Sequence, residues 1–210
     1  MPLKILLADD HHIMRQALKL LLEESGFSVV AEAADGLDAV RKANEKRPEV
    51  AVLDLSMPLL NGIDVAKQIR HDLPATKIVL LTMYSDEQYV LAAVRAGVTG
   101  YVLKSDAATD LVGAIQDVNK GMTYLSSKVS HAVVKGYLDK TKIPLDPLSP
   151  RLRQVLQLIA EGKSTKEVAA LLCMSIKTAD SRRTRLMRKL DMHCTAELVR
   201  YAIRTGMLQP

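Results

Sequence analysis

Residues 3–10 read Leu-Lys-Ile-Leu-Leu-Ala-Asp-Asp, a short apolar run stopped by two acids. Its shortness and mostly apolar make-up predict a buried strand over Leu3 to Ala8. The segments that follow repeat the theme. Ile13, Ala17, Leu20 and Leu21 are spaced by four, three and one, which is a helical stripe, and Ser25-Gly26 ends it. Phe27 to Ala33 predicts a second strand, and Leu37 to Glu45 a second helix stopped near Pro48. Val50 to Leu53 is the third strand. Pro58 and Asn61-Gly62 mark a loop before a third helix carrying Ile63, Ala66 and Ile69. Ile78 to Leu81 follows as a strand, Asp86 to Ala96 as a helix before Gly97, Tyr101 to Leu103 as a very short strand, and Leu111 to Val118 as a helix. Five strand–helix units within about 120 residues imply an α/β domain with a five-stranded, doubly wound parallel sheet.

Ligands of such sheets bind beyond the carboxyl ends of the strands. Asp9 and Asp10 end the first strand, Asp54 the third, Thr82 the fourth and Lys104 the fifth. Three carboxylates at one edge repel one another unless a cation neutralises them. An open site with oxygen ligands favours a hard ion such as Mg²⁺. Lys104 adds a second positive charge and Thr82 a hydroxyl donor. A nucleophilic carboxylate with a metal, a cation and a donor around it is the equipment of phosphoryl transfer. His11 and His12 raise the question of a transition-metal site. Their place at a helix start, with no His or Cys partner nearby, argues against it.

The runs Leu-Ala-Asp-Asp-His (7–11), Val-Leu-Asp-Leu-Ser-Met-Pro-Leu-Leu-Asn-Gly (52–62), Leu-Leu-Thr (80–82) and Tyr-Val-Leu-Lys (101–104) resemble the receiver domain of bacterial two-component response regulators, over residues 2–122. The resemblance implies a flavodoxin-like fold with Asp54 as phospho-acceptor. It makes Asp10 a direct Mg²⁺ ligand, Asp9 a ligand directly or through water, and the carbonyl of Ser56 the last protein ligand. Thr82 and Lys104 would bind phosphoryl oxygens. Tyr101 matches the family's switch aromatic, which follows Thr82; an ordinary half-buried strand tyrosine is the alternative.

Composition sets the outer bounds. The 210 residues are 48% hydrophobic and 25% charged, which excludes a disordered chain, a collagen-like repeat and a disulfide scaffold. No apolar run approaches the roughly 18 residues of a membrane helix, and residues 1–10 lack a secretory pattern. Cys173 and Cys194 have no Cys-x-x-Cys spacing and read as buried free thiols of a reducing compartment. A cytoplasmic protein with no membrane partner is expected. Its net charge of +5 is unevenly spread. Residues 1–125 carry 13 Lys and Arg against 17 Asp and Glu, a net of −4; residues 126–210 carry 16 against 7, a net of +9. An acidic part joined to a basic part predicts two domains, the second suited to nucleic acid. With no Trp and one Phe, single-strand stacking is a poor fit.

Residues 123–146 read as a linker with a short helix and an extended, proline-marked stretch. Residues 147–210 carry four helical patterns. The first has Ser149 as N-cap, Pro150 at N1, and Leu152, Val155, Leu156 and Ile159, up to Glu161-Gly162. The second opens with the capping box Ser164–Glu167. The third begins at Ser175 and bears Arg182, Arg183, Arg185, Arg188 and Lys189; the fourth holds Leu198, Val199, Ala202 and Ile203 and closes at Gly206. The second and third, joined by a turn at 173–175, make a helix-turn-helix pattern in a small all-α, four-helix domain. The wording of 148–169 and 188–206 resembles the LuxR-type helix-turn-helix. With the receiver, the chain is identified as a member of the NarL/FixJ family of response regulators. The resemblance places the third helix in the major groove of double-stranded DNA, with Lys177, Thr178 and Arg183 on phosphates and Asp180, Ser181 and Thr184 toward the bases. The chain departs from the family at Asp180, usually lysine, and at Arg182, usually histidine, and Arg182 counts with the others among the DNA-binding candidates. An aspartate repels phosphate but accepts from a cytosine amino group.

The leading function is a regulator in which a histidine kinase phosphorylates Asp54 and thereby controls DNA binding, transcription and homodimerisation. Such a receiver catalyses only its own modification and is not counted as an enzyme. A receiver-linked helical protein that dimerises without reading DNA is the alternative, supported by Asp180. A metal-dependent phosphatase is the other; it needs a second acid two residues after the nucleophile, where Ser56 stands.

Overall fold

The computed structural model describes residues 2–85, 87–126, 129–130, 148–205 and 207–208. It divides into two compact units. The first is a parallel sheet in the order β2-β1-β3-β4-β5-β6, with β1 at Lys4–Ala8, β2 at Ser28–Ala33, β3 at Val50–Asp54, β4 at Lys77–Thr82, β5 at Gly100–Leu103 and β6 at Tyr124–Leu125. Its helices are α1 (His12–Glu24), α2 (Gly36–Lys46), α3 (Gly62–Asp72), α4 (Glu87–Ala96) and α5 (Ala107–Asn119).

Strand alternation sorts the sheet into two apolar layers. Leu6, Leu53, Ile78, Leu80 and Tyr101 pack with Ala39 and Ala43 of α2, Val65, Ala66 and Ile69 of α3, and Val90 and Ala93 of α4. Ile5, Leu7, Val52, Val79, Leu81 and Val102 pack on the other face with Leu18 and Leu22 of α1 and Leu111, Ile115 and Val118 of α5. Both faces are covered, so the central strands carry continuous apolar runs, as sequences 5–8 and 50–53 show.

Three expectations need correction. The sheet has six strands rather than five: β6 pairs in parallel with β5, Gly100 opposite Tyr124 and Tyr101 opposite Leu125. Two residues are too few for a periodic signal, and they fall in the stretch read as linker. The helical stripe of α1 is real but points outward. Ile13 is 85% and Leu20 59% exposed, while Leu18 and Leu22 are buried. Apolar residues occupy two adjacent faces of α1, and polar ties settle its rotation: Arg15 donates to the Asp9 carbonyl, and Lys19 and Gln16 donate to Glu32. Third, both cysteines are free but exposed. Cys173 lies in the turn between two helices with φ at +50°, and Cys194 is an N-cap.

The second unit holds α6 (Pro150–Ala160), α7 (Thr165–Leu171), α8 (Ile176–Leu190) and α9 (Thr195–Arg204). Its core joins Leu152, Val155, Leu156 and Ile159 to Val168, Ala169, Ala179, Leu186, Leu198 and Ala202. Ser164 and Glu167 form the capping box, with the Ser164 N–H on Glu167 Oε2 at 2.8 Å and the Glu167 N–H on Ser164 Oγ at 3.3 Å. The linker helix, Pro144, Pro147, Asp86 and Gly206 lie outside the described residues or largely so. No helix among the described residues is long and apolar enough to cross a membrane.

Candidate functional site

The register brings the strand ends together. Asp54 stands opposite Leu81, beside Thr82, and Thr82 stands opposite Leu103, beside Lys104. Asp9, one residue beyond β1, donates its N–H to the Ala33 carbonyl at 3.1 Å. The loop after β3 holds Asp54 from below. The Leu55 N–H binds the Leu81 carbonyl at 3.1 Å and the Gly62 N–H binds the Leu55 carbonyl at 2.8 Å. A Cβ on Gly62 would stand 2.1 Å from the Asp54 carbonyl oxygen, so only glycine lets α3 start this close to β3. Asn61 caps that helix through the Asp64 N–H.

Asp9, Asp54 and Thr82 are buried, and Asp10 is half-buried. Lys104 Nζ lies 2.8 Å from Asp9 Oδ2 and 3.1 Å from Asp54 Oδ2. Among the described residues no hydrogen-bond donor other than Lys104 faces either of these buried oxygens. Burial pushes the Asp54 carboxyl up to about 6, against the pull of Lys104, and Asp9 adds to the rise. Burial works against the Lys104 charge, yet the Asp54 and Asp9 carboxylates raise its pKa above the ordinary value. Three carboxylates around one ammonium leave a site two charges short of neutrality. Carboxylate oxygens at the rim of an open sheet edge are the donor set that a hard divalent ion takes. Asp9, Asp10 and Asp54 therefore fit such an ion.

The buried charge should be measurable. In metal-free buffer near pH 7.5, Asp54→Asn is expected to be more stable than wild type by about 1–3 kcal/mol, the lost Lys104 contact setting the lower end. The folded carboxyl has a raised pKa. Below about pH 4 it is protonated in both states and has no effect; between about 4 and 6 only the unfolded chain ionises, so wild-type stability falls; above 6 the full penalty stands. Urea unfolding across this range checks the sign. A variant advantage that grew toward acid would contradict it.

Behind the pocket runs a short relay. Thr82 Oγ1 accepts from the Tyr84 N–H at 3.1 Å, and the Tyr101 hydroxyl donates to the Tyr84 carbonyl at 2.8 Å. Tyr101 is 1% exposed, not half-buried. The Tyr84 ring stacks at a tilt on Tyr89 of α4, centroids 4.9 Å apart. His11 is the residue that sequence reasoning set aside: its Nδ1 is 2.7 Å from Asp10 Oδ1.

In the second unit, Ala179 and Leu186 turn one side of α8 into the core. Lys177, Thr178, Asp180, Ser181, Thr184, Arg185, Arg188 and Lys189 are exposed. Lys177, Asp180 or Ser181, Thr184 and Arg188 recur every three or four residues along one face. Ser175 caps the helix, accepting the Thr178 N–H at 3.1 Å. Arg183 and Arg182 are half-buried. Arg183 Nη2 donates to Thr195 Oγ1 at 2.9 Å, whereas Arg182 Nη1 is enclosed, with no hydrogen-bond partner among the described residues.

The family model of the response regulator receiver domain matches residues 5–116, and that of bacterial regulatory proteins of the luxR family matches residues 146–202. The chain belongs to the LuxR-type response regulators. This regulator is 37% identical to the oxygen regulatory protein NreC of Staphylococcus haemolyticus, over 98% of this chain and 99% of that one. It is also 37% identical to NreC of Staphylococcus aureus, over 99% of this chain and all of that one. Among solved structures it is similar to the RcsB–DNA complex, with a TM-score of 0.61 at 32% identity, covering 96% of this chain and 98% of that one. A LuxR-family response regulator from Aurantimonas matches 66% of this chain with a TM-score of 0.63 at 34% identity. The regulator therefore combines a receiver domain with a LuxR-type DNA-binding domain.

Proposed function

We propose that this regulator accepts a phosphoryl group on Asp54 from the phosphohistidine of a partner kinase and thereby controls its binding to double-stranded DNA. The observation that carries the reading is the meeting of Asp54, Asp9, Thr82 and Lys104 at one sheet edge. Asp54 supplies the nucleophilic oxygen. Lys104, held between Asp9 and Asp54, stabilises the negative oxygens of the group in transfer. Thr82 donates its hydroxyl to one of them. Mg²⁺ held by Asp9, Asp10, Asp54 and the Ser56 carbonyl would neutralise the remaining charge. The protein acts on itself alone and is a regulator rather than an enzyme.

The division of labour follows the chain: a phospho-acceptor part over 1–122, a connection over 123–146 whose first residues add the sheet edge, and a DNA-binding part over 147–210. Lys177 and Thr178 suit phosphates near the helix N-terminus, where anions are favoured, and Arg183, midway along the helix, suits a further one. Asp180, Ser181 and Thr184 suit base edges, and Arg182, half-buried like Arg183, stands beside them as a further DNA-contact candidate. The cytoplasm, where kinase and DNA meet, is the compartment this function needs.

Thr82 and Tyr101 connect the two activities. When Thr82 engages a phosphoryl oxygen, the Tyr84 segment bonded to its Oγ1 is fixed with it. The Tyr101 hydroxyl already rests on the Tyr84 carbonyl, so phosphorylation holds this arrangement in place rather than creating it, a shift of population. The test measures affinity for duplex DNA and sedimentation of the full chain, with and without an acyl phosphate and Mg²⁺. Phosphorylation should promote a homodimer and tighten binding by about 5–100-fold. Tyr101→Phe should still be labelled at Asp54 while losing most of that gain. Unchanged affinity and unchanged association in the wild type would favour a constitutive regulator. No DNA binding in any state would favour the interaction protein.

A further inference from the structure

We propose that His11 is a fourth side-chain ligand of the acidic pocket and biases it toward a first-row transition ion, from Mn²⁺ to Zn²⁺, over Mg²⁺. The inference rests on the reading of Asp9, Asp10 and Asp54 as a divalent-ion pocket. His11 Nδ1 lies 2.7 Å from Asp10 Oδ1 and 3.5 Å from Asp9 Oδ1. Neighbouring donors on an octahedral shell of about 2.1 Å radius are about 3 Å apart, and the two distances bracket that value. One ligand atom from each of Asp9, Asp10, His11 and Asp54 falls within 4.8 Å of all the others. Opposite donors on the same shell are about 4.2 Å apart, so closing the shell takes a shift of well under an ångström.

The main chain places His11 for this. Its N–H donates to Asp9 Oδ1 at 2.8 Å, which ties the residue to the pocket floor. It occupies the N-cap position of α1 in extended geometry, and its side chain makes no capping hydrogen bond. The imidazole is therefore not spent on the helix. Its side chain is 63% exposed, at the open rim where an ion would keep its waters. Mg²⁺ prefers oxygen donors, whereas imidazole nitrogen suits the later first-row ions. A mixed carboxylate–imidazole set needs no second histidine or cysteine, which is what the sequence reading had asked for.

Mn²⁺ is the probe. Pulsed EPR of the full chain with Mn²⁺ should show the ¹⁴N modulation of a bound imidazole. His11→Asn should abolish it, and His12→Asn, one residue further on, should keep it. In competition against Mg²⁺, His11→Asn should lower the Mn²⁺ preference about 10-fold or more. Bound Mn²⁺ without ¹⁴N modulation, or a preference unchanged in His11→Asn, overturns the role of His11 and leaves the pocket standing. If neither ion binds, or if Asp9→Asn/Asp10→Asn binds both as tightly as wild type, the pocket fails and the inference fails with it.

Discussion

Incubated with a small acyl phosphate and Mg²⁺, the wild-type chain should gain one phosphoryl group on Asp54, and the Asp54→Asn chain none. An Asp54 oxygen attacks phosphorus, the bond from phosphorus to the acyl oxygen breaks, and the carboxylate leaves with the electron pair. Among the described residues no other acid has the same surroundings. Asp9 is as deeply buried but already accepts from the His11 N–H and meets Lys104; Asp10 is paired with His11. Only Asp54 ends a central strand next to both Thr82 and Lys104. Lys104→Ala should slow labelling by about 10²–10³-fold, the usual cost of removing one preorganised stabilising group. A chelator should suppress it as strongly, because Lys104 alone leaves two negative charges uncompensated. Mass spectrometry of the adduct reads all of these. Equal labelling of Asp54→Asn would falsify the assignment of the acceptor.

DNA affinity should collapse with salt. A dimer making about 6–10 phosphate contacts loses about 10³–10⁵ in affinity between 50 and 200 mM salt. Residues 126–210 carry a net charge of +9, and α8 presents Lys177, Arg185, Arg188 and Lys189 to solvent. Lys177→Ala should weaken binding to every sequence by a similar factor and flatten the salt slope. Asp180→Ala should behave differently. It removes a charge that repels phosphate, so non-specific binding should tighten, while discrimination at one base pair falls if the carboxylate accepts from cytosine. A flat salt dependence would point to contacts other than phosphates.

The acceptor site was largely legible from sequence because strand ends are. A parallel strand buried on both faces is a continuous apolar run, and its first polar residue marks its exit. Asp9, Asp54, Thr82 and Lys104 were found in that way, and the register then put them together. What was not legible depended on choices between equivalent faces or on very short segments. The sequence of α1 offers two apolar stripes about 100° apart, and its rotation is settled by Arg15, Lys19 and Gln16 reaching Asp9 and Glu32, long-range partners that no local pattern reveals. β6 has two residues. His11 looks solitary when only histidine or cysteine partners are sought; the groups it meets are the carboxylates of Asp9 and Asp10, just before it. On α8 the helical period separates Ala179 and Leu186 from the outer face, but not Arg182 from Arg183; the length of an arginine lets either lie along the domain.

The two thiols have a practical consequence. They are the only cysteines of the chain, both are exposed, and both lie in the DNA-binding half. A maleimide dye or nitroxide added to the unaltered protein would attach to that half and leave the receiver half bare. Cys173, in the turn ahead of α8, is the better anchor, since Cys194 belongs to the cap of α9. With no tryptophan to interfere, a single dye on Cys173 of a Cys194→Ser chain would follow arrival at DNA in real time, while the phosphodonor is supplied to a receiver that carries no thiol.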